Sequence, residues 1–137
     1  MITQPDQVQI YEGIMQNSDG EVTYTLLRAA SFAKDNRLLP VGADKENLPA
    51  DIGVYGFAAQ DANFVGGSDL VRYQVDTGGY EGPFTVSIEL LYETLSYRFV
   101  QDLLLDKTEL TERFGAYYNS SDKTASLIDS LVISTQN

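Results

Sequence analysis

The alternation of apolar and polar side chains places most of this chain in short β-strands. Val8, Ile10 and Ile14 alternate with Gln9, Tyr11 and Gly13, with Glu12 on the first set's face, a period-two pattern. "NSDG", Asn17–Gly20, reads as a turn, because Asp-Gly tolerates the backbone of a tight hairpin. In "EVTYTLLRAASF", Val22, Tyr24 and Leu26 fall on one face and Thr23, Thr25 and Leu27 on the other, which predicts pairing with the first strand as a hairpin. "GVYGFAAQD" reads as a further short strand. In "DLVRYQVDTGGYEG", Val71, Tyr73 and Val75 are expected to face a core. The clearest strand is "GPFTVSIELLYET": Phe84, Val86, Ile88 and Leu90 point one way, and Thr85, Ser87 and Glu89 the other.

After Tyr92 the period changes. Leu95, Phe99 and Leu103 recur every four residues, as do Val100 and Leu104, which predicts a short helix. Leu110, Phe114, Tyr117 and Tyr118 suggest a second helix, with Thr108 as its N-cap. "SLVISTQ" closes the chain as a strand. Between these elements, Ala33–Gly53 is irregular and carries Pro40 and Pro49. The pattern predicts an all-β fold: an antiparallel, jelly-roll-like β-sandwich spanning residues 1–137 as one domain, with one or two short helices in the C-terminal third.

Composition narrows the chemistry. With 137 residues and 43% hydrophobic positions, the chain can bury roughly two-thirds of its unfolded surface. It carries 20 acids against 9 bases, a net charge of −11. Such a surface repels nucleic-acid phosphates and anionic lipid, and favours cations, basic protein patches or neutral ligands. No apolar run reaches membrane-spanning length. The chain lacks Cys, His and Trp. Ser–His and Cys–His catalysis, disulfides, covalent c-type haem and ordinary zinc sites are therefore excluded within it. "MITQPDQVQIYEG" lacks the charged and apolar regions of a signal peptide. Met1 directly precedes what reads as a mid-protein segment, so a domain excised from something longer is expected.

One loop could hold a cation. In "DANFVGGSDL", Asp61, Asn63 and Asp69 offer hard oxygens, and Gly66-Gly67 lets the backbone wrap an ion such as Ca2+. Asp61, Asn63 and Gly66 match the first, third and sixth positions of an EF-hand. Val65 and Arg72 occupy the fifth and twelfth, and Arg72 would oppose the ion, so this is not an EF-hand. An Asx-turn explains the same residues without metal.

"KDNRLLP", Lys34–Pro40, offers Asp35, Asn36 and Arg37 as contacts for a partner or sugar, or as local ties that fix the loop while Leu38 and Leu39 dock inside. Nine tyrosines and six phenylalanines leave room for exposed contact residues. Tyr80, in the glycine-rich turn, is expected to be exposed, and Tyr117 and Tyr118 are further candidates for a contact surface. No carboxylate pair stands out as catalytic, and no enzyme activity is expected.

"VQIYEGIM", "VTYTLLRAASFAKDNRLLP", "DANFVGGSDLVRYQV", "GPFTVSIELLYETLSYRFVQDL" and "RFGAYYNSSDKTASLIDS" together resemble the haem-free C-terminal β-domain of exported bacterial multihaem c-type cytochromes. The likeness spans about Val8 to about Ser130. Tyr97-Arg98-Phe99 stands where Tyr-Arg-Trp would be expected. The resemblance implies a periplasmic or extracellular location and an accessory, non-catalytic role, with a protein or a missing cytochrome domain as partner. It supplies no catalytic residues. The alternative function is a calcium-stabilised carbohydrate-binding module.

Overall fold

The structure is a computed structural model and describes residues 7–135. The described residues form a mixed α/β protein, not a β-sandwich. Two small open antiparallel sheets, of three and two strands, accompany three α-helices. The chain divides between Gln74 and Val75 into two compact units.

The first unit contains the three-stranded sheet. β1 (Gly13–Gln16) lies between β2 (Val22–Thr23) and β3 (Ser31–Asp35), antiparallel to both. The expected hairpin forms. Asn17 Oδ1 accepts from the amides of Asp19 and Glu21, and Gly20 takes a φ of 80°, the left-handed conformation that glycine supplies cheaply. The second strand is shorter than the alternation suggests: after Thr23 the chain turns into a 3-10 helix at Leu26–Arg28. "GVYGFAAQD" is not a strand. Tyr55 makes one bridge to Asp35, and the chain then enters a one-turn helix, α1 (Phe57–Gln60). Gly56, at φ 76°, breaks the extended path just before it.

Val71, Tyr73 and Val75 do not face a core. Residues 69–77 form no regular element, and all three side chains are exposed. Alternation needs a paired neighbour to make a strand, and this segment pairs with none among the described residues.

The second unit contains β4 (Thr85–Tyr92) and β5 (Ser126–Ser134), paired antiparallel as a two-stranded ribbon. α2 (Tyr97–Leu103) and α3 (Glu109–Ser120) connect them. Ser96 Oγ caps α2 by accepting from the Phe99 amide. Thr108 caps α3, as the sequence indicates, in a reciprocal box with Thr111. Val100 is fully buried. α3 approaches Leu104, the residue closing α2, at Gly115, where a Cβ would lie 2.9 Å from Leu104 Cδ2.

The register sorts the ribbon's side chains. Val86 faces Ile133, Ile88 faces Leu131 and Leu90 faces Asp129, all on one face with Tyr92 and Ser126. Thr85, Ser87, Glu89 and Leu91 lie on the other face, with Ser134, Val132, Ser130 and Leu127. A bulge between Leu90 and Leu91 leaves Ile128 without a cross-strand partner. The apolar face matches the alternation read from "FTVSIELL", but it is not sealed: Val86, Ile88, Leu90, Tyr92, Leu131 and Ile133 are all exposed.

Phe64 and Val100 are the buried hydrophobic side chains among the described residues.

Candidate functional site

The loop that sequence singles out as a cation candidate is built from within. Asp61 closes α1, and its Oδ1 accepts from the Asn63 amide at 2.9 Å in an Asx-turn. Val65 and Ser68 bridge each other, and the Gly67 amide donates to Leu39 O at 2.9 Å. Phe64, in the same loop, is buried. Gly66 packs so closely on the neighbouring turn that a Cβ would lie 2.4 Å from Ala43 O.

Asp69 Oδ2 accepts from the Tyr11 hydroxyl at 2.8 Å. Burial first, and then this bond to a carboxylate, push the Tyr11 phenol up to about 12. The Lys45 ammonium donates to Asp61 O at 2.6 Å and to Ala58 O at 3.3 Å, where a metal would otherwise find carbonyl ligands. Among the described residues, no three acidic side chains gather around one point. Asp61 and Asp69 therefore each serve a separate protein bond.

Asp35 and Asn36 turn inward on the fold, and Arg37 closes over them from the surface. Asn36 is buried, and its amide group bridges two positions of the N-terminal segment: Oδ1 accepts from Glu12 N and Nδ2 donates to Ile10 O, both at 3.0 Å. Asp35 is buried and takes a two-pronged bond from Arg37, Nε at 2.9 Å and Nη2 at 2.6 Å. This bond holds the guanidinium above its already high pKa. Arg37 also lies 5.8 Å from the centroid of the Phe32 ring, which packs on Tyr55. Of the three, Arg37 keeps most of its side chain in solvent.

Tyr80 is exposed in its glycine turn, and Tyr117 is exposed on α3. Tyr118 is half-buried and enters a different setting. Its ring stacks on Phe114 with centroids 6.1 Å apart, and the Lys123 ammonium lies 4.9 Å from its centre. Tyr118 and Lys123 line an open cleft of about 350 Å³ where β4 hands over to α2 and α3 hands over to β5. Tyr92, Tyr97, Glu93 and Asp122 complete its chemically active lining.

Asp122 is fixed by its own loop. Oδ1 accepts from Thr124 N at 2.9 Å and Thr124 Oγ1 at 2.7 Å, and these bonds hold its carboxyl below the usual range. Sequence reasoning found Tyr118 but missed Tyr92, Tyr97, Asp122 and Lys123. The available signal was the change of period after Tyr92: one tyrosine closes the strand and another opens the helix, so both rings stand at one junction.

The second unit thus offers two surfaces, the tyrosine cleft and the apolar face of the ribbon, which meet at Tyr92 and Ser126. The chain matches no family model, no curated protein and no solved structure. No helix among the described residues is long and apolar enough to cross a membrane.

Proposed function

We propose that the chain is a non-catalytic interaction module that docks a partner protein on the apolar face of its β4–β5 ribbon. The exposure of Val86, Ile88, Leu90, Leu131 and Ile133 on one face carries this reading. A two-stranded ribbon is marginal alone and needs a third strand or a covering layer. A standard interface removes about 800 Å² from each partner.

Charge selects the occupant. The two strands carry Glu89 and Asp129 and no Lys or Arg, within a chain of net −11. The fitting partner presents apolar residues framed by Lys or Arg, and a second acidic copy fits less well. The resemblance to the haem-free cytochrome domain extends the proposal: the partner is a domain of an exported electron-transfer protein. That extension rests on sequence likeness alone.

Photo-crosslinking in the native cell tests the reading. A crosslinker at Ile88 or Leu131 is expected to trap a protein whose contact peptide, identified by mass spectrometry, combines apolar residues with Lys or Arg. The same group at Ser87 or Ser130, on the opposite face, is expected to trap none. Trapping of a second copy would overturn the basic partner, and equal trapping from both faces would overturn the docking face.

A further inference from the structure

We infer that the cleft between Tyr92, Tyr97 and Tyr118 binds a short neutral oligosaccharide without cleaving it. This goes beyond the docking face: the two surfaces share Tyr92, but the cleft is argued from Tyr97, Tyr118, Asp122 and Lys123, none of which lies on the ribbon face.

A hexose has an apolar C–H face and a rim of hydroxyls. A site for it needs aromatic rings and, beside them, charged groups able to give and take hydrogen bonds. The cleft has both. Tyr97 is 67% exposed and Tyr92 55%, so two rings are open for stacking. Tyr118 is the fixed wall, held against Phe114 at 6.1 Å. The Lys123 ammonium uses one hydrogen on Asn119 O at 3.5 Å and keeps the others for a ligand. Asp122 commits Oδ1 to Thr124, and among the described residues no protein group bonds Oδ2. Glu93 adds a second acceptor at the cleft wall.

The volume, about 350 Å³, lies at the small end of ligand sites and suits about two hexose rings. Charge argues for neutrality. The lining carries Glu93 and Asp122 against Lys123, one net negative charge, which disfavours an acidic sugar. The cationic position over an aromatic ring is already filled by Lys123 on Tyr118, which disfavours an organic cation. Asp122 is fixed as an acceptor by its two bonds from Thr124, which suits it to holding a hydroxyl rather than to delivering a proton.

The experiment is a titration of the whole chain with cellotetraose, maltotetraose and tetramethylammonium, followed by calorimetry and saturation-transfer NMR. At least one sugar is expected to bind saturably at millimolar concentration, with no new reducing ends. Tyr97→Ala is expected to weaken that binding at least about tenfold and Tyr97→Phe to leave it within about threefold. Lys123→Met is expected to weaken it, and Tyr80→Ala, in a separate exposed turn, to change nothing. Circular dichroism checks that each variant folds. Failure of both sugars to saturate, equal loss in Tyr80→Ala, tighter binding of tetramethylammonium, or release of new reducing ends would each overturn the inference. None of these outcomes bears on crosslinking from Ile88.

Discussion

The two units hold themselves together in different ways. In the first, polar side chains do the fastening: Asn36 ties β3 to the N-terminal segment, Arg37 clamps Asp35, Lys45 holds the end of α1, and Tyr11 holds Asp69. In the second, the side chains of the long regular strands are exposed, those of the apolar face included. The contrast shows that a cluster of charged and amide residues need not be a site. Inward-facing polar groups with full hydrogen bonding are structural. Outward-facing apolar rows are the better sign of contact with another molecule.

Substitutions can break this contrast. The largest effect is expected for Gly66→Ala, which drives a Cβ into the Ala43 backbone, 2.4 Å from its oxygen. About 3 kcal/mol or more should be lost, read from urea unfolding. Gly79→Ala, also at positive φ (81°) but with open space around it, should cost only about 1 kcal/mol. Asn36→Ala leaves Glu12 N and Ile10 O without their side-chain partner and should cost about 2 kcal/mol.

The double change Ile88→Glu with Leu131→Glu should cost the isolated chain no more than about 1 kcal/mol, because both side chains already meet water, while abolishing docking. A loss as large as that of Gly66→Ala would mean that the ribbon face is an internal core, and would remove the contrast.

Two smaller effects sharpen it. Ultraviolet titration should find one tyrosine ionising near about 12, absent in Tyr11→Phe. A phenol whose folded pKa is raised adds stability that is complete below its ordinary value of 10.0 and is lost as pH rises from there to about 12. The first unit should therefore lose stability, and unfold more readily, over that window. EDTA should leave the melting temperature unchanged, since Lys45 already holds Asp61 O and the side chains of Asp61 and Asp69 serve protein donors.

Local signals in the sequence were legible where one element decides the outcome alone. The Asn17–Gly20 turn, the Thr108 cap, both longer helices and the β4 alternation depend on neighbours a few residues away. The sandwich did not follow, because stacking of sheets is a long-range matter that alternation cannot encode. Residues 70–76 illustrate this: their alternation is as regular as that of β4, yet without a partner strand they stay irregular and exposed. The helix at Phe57–Gln60 was hidden by the β-favouring "VYGF", where Gly56 decides the backbone path. At the candidate sites, Asp35 and Asn36 read more readily as local ties than as contacts, and their burial decides for the ties. The cleft was unreadable because Tyr92 and Asp122–Ser126 are brought together by the pairing of strands far apart in the chain.

Ile128, the unpaired residue of the ribbon, has an effect on the cleft as well. By taking up one position, it sets the small Ser126 across from Tyr92 and turns Leu127 toward Leu91. Were the ladder continuous from the Leu90–Asp129 pair, the partner of Tyr92 would be Leu127, and an isobutyl group would crowd the ring. One surplus residue thus acts as a spacer that keeps a doorway beside the tyrosine open: were it drawn into the ladder opposite Leu91, that doorway would shut without altering any residue that lines it.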